Sequence, residues 1–83
     1  MWICNIGIKD DNTKEMVEIV CQDTALKDDT FKYAFLRCRY GQFRWILQIG
    51  SQSKDQAHQR GRWFQKKVFG EDKKVWYWVK KTG

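Results

Sequence analysis

The sequence contains no proline and one histidine, and none of its apolar runs approaches the roughly 18 residues that a membrane helix needs. Residues 1–5 lack the basic and apolar regions of a signal peptide. The three cysteines, Cys4, Cys21 and Cys38, are odd in number, whereas a short secreted domain usually carries an even set. We therefore expect a cytoplasmic protein with free, buried thiols and no contact with membranes.

Motifs for catalysis and for metal binding are missing as well. The cysteines lie seventeen residues apart, whereas zinc ligands come in local pairs, so we expect no metal and no cofactor. The sequence has no phosphate-binding loop and no Ser/His/Asp order. His58 is the one residue suited to acid–base chemistry near neutral pH, with Arg60, Arg62 or a lysine to stabilise an anionic transition state. A small ribonuclease toxin is the alternative that these residues leave open, and we expect no enzyme.

The chain does contain many apolar side chains and a divided charge. With 83 residues, 42% hydrophobic residues and five tryptophans, it has the composition of a single small folded domain. Residues 1–30 carry three lysines against seven carboxylates, a net of −4, while residues 31–83 carry thirteen Lys and Arg against three carboxylates, a net of +10. This asymmetry indicates a polyanionic partner, and solvated surface lysines are the alternative explanation.

The spacing of apolar residues predicts an α+β domain. Five segments are β-prone or alternate with the period of a strand: 2–8, 15–22, 31–40, 43–50 and 74–80. Ser53 and Gln56 have the spacing of a capping box and Gly70 suits a helix end, which predicts an amphipathic helix over 54–69. Its apolar stripe is Ala57, Gly61, Phe64 and Val68. We therefore predict a four- to five-stranded antiparallel meander with one helix packed on one face.

The third and fourth predicted strands form a hairpin around a two-residue loop, Gly41-Gln42, of type II′. With this loop Leu36 lies opposite Leu47, and Cys38 lies opposite Trp45, on the core face. The other face then presents Tyr33, Phe35, Arg37 and Arg39 beside Arg44. A one-residue slip of the pairing would exchange the two faces of one strand.

We predict that this hairpin face binds nucleic acid, with single-stranded DNA or RNA favoured. Aromatic rings that stack on bases alternate there with arginines that neutralise phosphates, and the helix adds a second basic strip. The candidate residues are Tyr33, Phe35, Arg37, Arg39, Arg44, Lys54, Arg60, Arg62, Lys66 and Lys67. The structural alternative is that a helix or the last strand covers the face, which would make Tyr33 and Phe35 part of the core.

Trp63, Trp76 and Trp78 support a rival hypothesis, because tryptophan with arginine is typical of protein interfaces. In that hypothesis the chain is an inhibitor of phage or mobile-element type that binds an acidic or nucleic-acid-processing host protein, for example a CRISPR complex. A homodimer through the C-terminal strand also stays open. The predicted order of four strands and a helix is similar to that of PUR-repeat and Whirly-type single-strand binders, a likeness of arrangement without shared motifs.

Overall fold

The computed structural model describes residues 1–25, 30–39, 41–69 and 76–82. In chain order the elements are β1 (Trp2–Ile8), α1 (Asp11–Ala25), β2 (Lys32–Arg37), β3 (Trp45–Ser51), α2 (Lys54–Phe64) with a π-helical turn (Gln65–Phe69), and β4 (Tyr77–Lys81). The predictions for Tyr40, Gly70 and residues 74–75 concern positions outside the described ranges. None of the helices in the described part of the chain is long and apolar enough to cross a membrane.

The four strands form one antiparallel sheet in the order β2-β3-β1-β4. β1 lies inside the sheet and pairs with both β3 and β4, and β2 pairs with β3 at the opposite edge. Each helix connects two strands that have a third strand between them. The result is two interleaved split β-α-β units, the ferredoxin-like topology. The predicted α+β class and antiparallel sheet are confirmed, whereas the strands do not follow one another as a meander and a second helix is present.

Residues 15–22, predicted as a strand, belong to helix α1. Asp10 caps the start of this helix, because its Oδ1 accepts a hydrogen bond of 2.6 Å from the backbone N–H of Thr13. The Asp10–Asp11 pair therefore marks a helix start, although such a pair is also common in turns. The likeness to the arrangement of PUR-repeat and Whirly-type proteins depended on four successive strands and does not hold.

The apolar residues of α1 explain why the sequence was ambiguous. Val17, Ile19 and Cys21 alternate as in a strand, but Val17, Val20 and Cys21 also have the spacing of a helix face. In the structure Val17 and Cys21 are fully buried, while Ile19 is 66% exposed. The helical period is the one that buries apolar surface.

The core lies between the helices and one face of the sheet. Its buried members are Cys4, Ile6, Ile8, Val17, Cys21, Phe31, Leu47, Ile49, Ala57 and Phe64. Helix α2 packs on it through Ala57, Gly61 and Phe64, as predicted, and the side chain of Val68 lies outside the description. Because both helices cover this face, the opposite face of the sheet carries neither of them.

The cap predicted at the start of α2 is present in a modified form. Ser53 Oγ accepts a hydrogen bond of 3.1 Å from the backbone N–H of Gln56, as a capping box requires. The Gln56 side chain accepts in return from the backbone N–H of Gln52, at 2.9 Å, and not from that of Ser53. The predicted helix over 54–69 is observed as α2 and the π-helical turn that continues it.

Strands β2 and β3 pair one residue out of the predicted register. Arg37 lies opposite Trp45, and Leu36 lies opposite Ile46. Residues 38–44 connect the strands, so the turn is longer than the predicted two-residue loop, although Gly41 does have the positive φ, 94°, that favours glycine. Since adjacent strand residues point to opposite faces, this slip turns β2 over relative to the prediction.

Candidate nucleic-acid interface

The aromatic residues of the predicted hairpin face lie on the core side of the sheet. Tyr33 and Phe35 are half-buried against the core, and their ring centres are 5.9 Å apart in an edge-to-face contact. Burial raises the pKa of the Tyr33 phenol, and Cys21 and Glu18 of α1 raise it further. Tyr33 and Phe35 therefore pack against the core, as the structural alternative proposed. The predicted face was wrong because the pairing register is shifted.

Two of the three arginines in the predicted hairpin contact side chains of the same protein. Arg37 lies 5.7 Å from the ring centre of Trp45, and Lys14 lies 4.4 Å from it. The indole N–H of Trp45 donates a hydrogen bond of 2.9 Å to Asp11, which also forms an ion pair of 3.4 Å with Arg44. Two of the predicted phosphate ligands, Arg37 and Arg44, thus take part in a cluster beside the start of α1.

The basic strip predicted on the helix divides into two parts. Lys54 lies 5.8 Å from the ring centre of Trp2. Arg60 donates a hydrogen bond to the carbonyl of Gly50 and lies 5.2 Å from the ring centre of Phe31. These two cations pack against the sheet. The others, Arg62, Lys66 and Lys67, are exposed on the helical side of the molecule.

The face of the sheet turned away from the helices is the feature that the sequence did not reveal. We call it the open face. The strand register arranges its residues in three rows: Lys32, Gly50, Ile3 and Lys80; Ala34, Gln48, Asn5 and Trp78; and Leu36, Ile46 and Gly7. Basic side chains end the first row, amides lie in the middle of the second, and the third is apolar. None of the described strand residues is an aspartate or a glutamate.

Aromatic rings lie at the β4 side of the open face. Phe43, from the connection between β2 and β3, places its ring over Gly7 and 6.2 Å from the ring centre of Trp78, with 24° between the ring planes. Trp78 is 39% exposed and Trp76, which precedes it by two residues, is 57% exposed. The carbonyl of Trp76 accepts a hydrogen bond of 3.0 Å from the Gly7 backbone. The exposed indole of Trp78 therefore lies beside the Phe43 ring, which packs over Gly7.

Two lysines lie at the two edges of the open face. Lys32 and Lys80 are exposed at opposite ends of the first row, three strand spacings apart, or roughly 14 Å between their Cα atoms. Their positions on β2 and β4 place positive charge at both edges of the sheet. The open face can thus stack planar rings, hydrogen-bond their edges through amides and neutralise anionic groups.

The buried thiols are inert at neutral pH. Burial raises the pKa of Cys4 to about 11 and that of Cys21 to about 12, so both stay protonated. None of the three cysteines, which all lie in the described part of the chain, forms a disulfide bond, and Cys38 is only partly buried. Within the described residues no three His, Cys, Asp or Glu side chains come together as a metal ion would require.

Of the residues considered for a ribonuclease, His58 and Arg62 lie together and Arg60 does not. His58 Nδ1 lies 3.4 Å from the Tyr77 hydroxyl, and His58 shares a shallow pocket of about 290 Å³ with Arg62 and Asp55. Arg60 points to Gly50 instead. His58 and Arg62 thus line one pocket, and Arg60 is not among its lining residues.

Comparison with known proteins gives no relative from which a role could be transferred. No protein-family profile, no curated protein and no solved structure matches this chain. The function is therefore argued from the geometry and chemistry of the open face.

Proposed function

We propose that the protein binds single-stranded nucleic acid across the open face of its sheet. The observation that carries this proposal is the combination of exposed Trp76 and Trp78 rings with Lys32 and Lys80 on a face whose described strands have no carboxylate. An aromatic ring that stacks on a base contributes about 1–3 kcal/mol, and each lysine that contacts a phosphate adds affinity and salt dependence.

The distribution of acidic residues supports a polyanionic ligand on this side. The described carboxylates lie at the start of α1, along α1 and on α2: Asp10, Asp11, Glu15, Glu18, Asp23 and Asp55. Both helices pack on the other face of the sheet. The chain has a net charge of +6, and the open face receives lysines without opposing acids on its own strands. A positive field of this kind attracts nucleic acid and accelerates its association.

Unpaired bases suit this surface better than a duplex does. A sheet face offers rings to bases that are free to leave their own stack, whereas the bases of a duplex are already stacked on one another. The four-stranded sheet of RNA-recognition domains uses aromatic residues in the same way, an analogy of fold and chemistry. Arg39 is exposed in the connection 38–44, which also carries Phe43, and adds a positive charge there. We place the protein in the cytoplasm, where its three free thiols stay reduced.

The test is a fluorescence-anisotropy titration with single- and double-stranded DNA and RNA oligonucleotides at two salt concentrations. We expect single strands to bind more tightly than duplexes and to lose affinity as salt rises. Trp78→Ala should weaken binding roughly five- to 150-fold. Trp63→Ala is a matched control, because Trp63 is also 39% exposed but lies on α2. It should change the affinity by no more than about two-fold.

Two results would overturn the proposal. If duplexes bind best and substitution of Arg62, Lys66 and Lys67 abolishes binding, the helical side is the interface. If no nucleic acid binds at low salt, the exposed tryptophans serve a protein partner, as in the inhibitor hypothesis. Affinity capture after nuclease treatment, compared between the parent and the Trp76→Ala and Trp78→Ala variants, then identifies that partner.

A further inference from the structure

Two side-chain amides form a hydrogen bond between neighbouring strands at the centre of the open face. Gln48 on β3 donates from Nε2 to Oδ1 of Asn5 on β1, at 3.1 Å. Asn5 is only 5% exposed, and Gln48 is half-buried. Burying a carboxamide costs free energy unless it is hydrogen-bonded, so an apolar residue would satisfy a purely structural role at either position more easily.

The hydrogen bond fixes the orientation of the Gln48 amide. A glutamine side chain has two N–H donors and one carbonyl acceptor, and Asn5 takes one of the donors. One donor and the acceptor are therefore left for a ligand, in the same plane and on a side chain whose freedom is already reduced. Ordering before binding lowers the entropic cost of recognition.

The amide pair lies in the same row as Trp78. Asn5 is the cross-strand partner of both Gln48 and Trp78, so Gln48 and Trp78 lie on either side of it. Two strand spacings separate their Cα atoms, or roughly 10 Å. A base stacked on Trp78 with its edge toward the middle of the sheet extends over Asn5 to the Gln48 amide.

We propose that Gln48 recognises the edge of the base that stacks on Trp78 and that it selects adenine. This inference rests on the proposed function. Adenine presents the N7 acceptor beside the N6 donor, and a glutamine amide makes two hydrogen bonds to that edge. Guanine presents two acceptors on the same edge, so the carbonyl of the glutamine amide has no donor to bind there. Pyrimidines have a smaller ring and stack on the indole over less area. Gln48 contacts the base in this proposal, and Asn5 is a positioning residue that holds its amide.

The first test compares single-stranded oligonucleotides of A, C and T, and an A-oligonucleotide with guanine substitutions, by anisotropy. We expect the A-oligonucleotide to bind about five-fold or more tightly than the others. Gln48→Met keeps the length of the side chain and removes the amide, so it should reduce this preference to about two-fold or less while retaining the affinity for T and C. Gln59→Met, an exposed position on α2, is the matched control and should keep the preference.

The second test changes the ligand, so that its result does not depend on whether a variant folds. Replacing adenine by 7-deazaadenine removes the N7 acceptor and leaves the ring surface. It should weaken binding to the parent protein several-fold and have no further effect on Gln48→Met, as expected for two changes that remove one contact. Asn5→Leu should reduce the adenine preference and retain the dependence of binding on Trp78.

The outcomes separate the two proposals. Single-strand binding that depends on Trp78 but shows no base preference, or a preference that survives in Gln48→Met, overturns the role of Gln48 and leaves the proposed function intact. Equal binding of adenine and 7-deazaadenine also overturns the role of Gln48 and leaves the proposed function intact. Absence of single-strand binding by the parent protein overturns both.

Discussion

Gly7 lies directly beneath the ring of Phe43: a β-carbon at residue 7 would stand 2.6 Å from Phe43 Cε1, closer than two carbon atoms approach without displacement. Gly7→Ala should therefore push the ring away from Trp78 and break their contact. Overpacking of this kind costs about 1–3 kcal/mol of unfolding free energy. Urea unfolding followed by tryptophan fluorescence measures the loss, and we expect single-strand affinity to fall with it.

Gly50→Ala is the control for this prediction. Gly50 also belongs to the open face, but a β-carbon there would lie 3.8 Å from Met1 Sδ, which is ordinary contact. Alanine in place of a strand glycine restricts the unfolded chain, so this variant should be as stable as the parent or slightly more stable. Equal destabilisation by both substitutions would contradict the specific role of Gly7.

Gly61 and Tyr77 set the distance between α2 and β4. A β-carbon at residue 61 would overlap the Tyr77 ring. Alanine gains about 1 kcal/mol over glycine in a helix by intrinsic propensity, yet Gly61→Ala should still destabilise the domain because the clash costs more. Thermal unfolding of Gly61→Ala, Tyr77→Ala and the double variant tests this. The double variant should be more stable than the sum of the two single effects predicts.

Asp11 holds the indole N–H of Trp45 as well as the guanidinium of Arg44. Asp11→Ala removes both contacts and should cost about 1 kcal/mol, the net contribution of one protein hydrogen bond. Arg44→Ala removes only an exposed ion pair and should cost less than about 0.5 kcal/mol. The two variants, compared by urea unfolding, separate the indole hydrogen bond from the ion pair; similar losses would assign the stability to the charges.

The buried thiols predict a loss of stability in alkali. Their ordinary pKa is 9.0, and burial raises it to about 11 for Cys4 and about 12 for Cys21. Between these values the unfolded chain releases protons that the folded chain keeps, so the unfolding free energy falls as pH rises above 9, by at most about 1.4 kcal/mol per pH unit for each thiol. Urea unfolding at several pH values should show a shallower fall for Cys21→Ala than for the parent.

The spacing of apolar residues predicted the elements correctly where it fits only one period, that of a strand or that of a helix. The alternation from Trp2 to Ile8 located β1, and the cap at Ser53 located the start of α2. α1 was mistaken because Val17, Ile19 and Cys21 satisfy the strand period as well as the helical one. The choice between strand and helix depended on whether Asp10 caps a helix or belongs to a turn. Aspartate is common in both, and the structure shows the cap.

The candidate site could not be predicted because it depends on which strands are neighbours. Trp76 and Trp78 were selected as candidates for a protein interface, yet no binding role was assigned to Asn5 or Gln48, since nothing near them in the chain suggests that they meet. Pairing of β1 with β3 brings Gln48 beside Asn5, and pairing of β1 with β4 brings Trp78 to the other side of Asn5, although these segments are far apart in sequence. The face assigned to Tyr33 and Phe35 changed for a related reason: the length of the connection 38–44, and not the strand pattern, sets the register.

Every strand pairing in this sheet joins one half of the chain to the other. β1 and β2 belong to the first half and β3 and β4 to the second, and the pairs are β1 with β3, β1 with β4, and β2 with β3. A chain cut within the connection 38–44 would therefore give two fragments, neither of which holds two of the described strands that are neighbours in the sheet. During synthesis β1 likewise has no neighbouring strand to pair with until β3 has been made. Strands from the two halves of the polypeptide alternate across the sheet, so the two fragments of this domain should regain structure only when they are mixed.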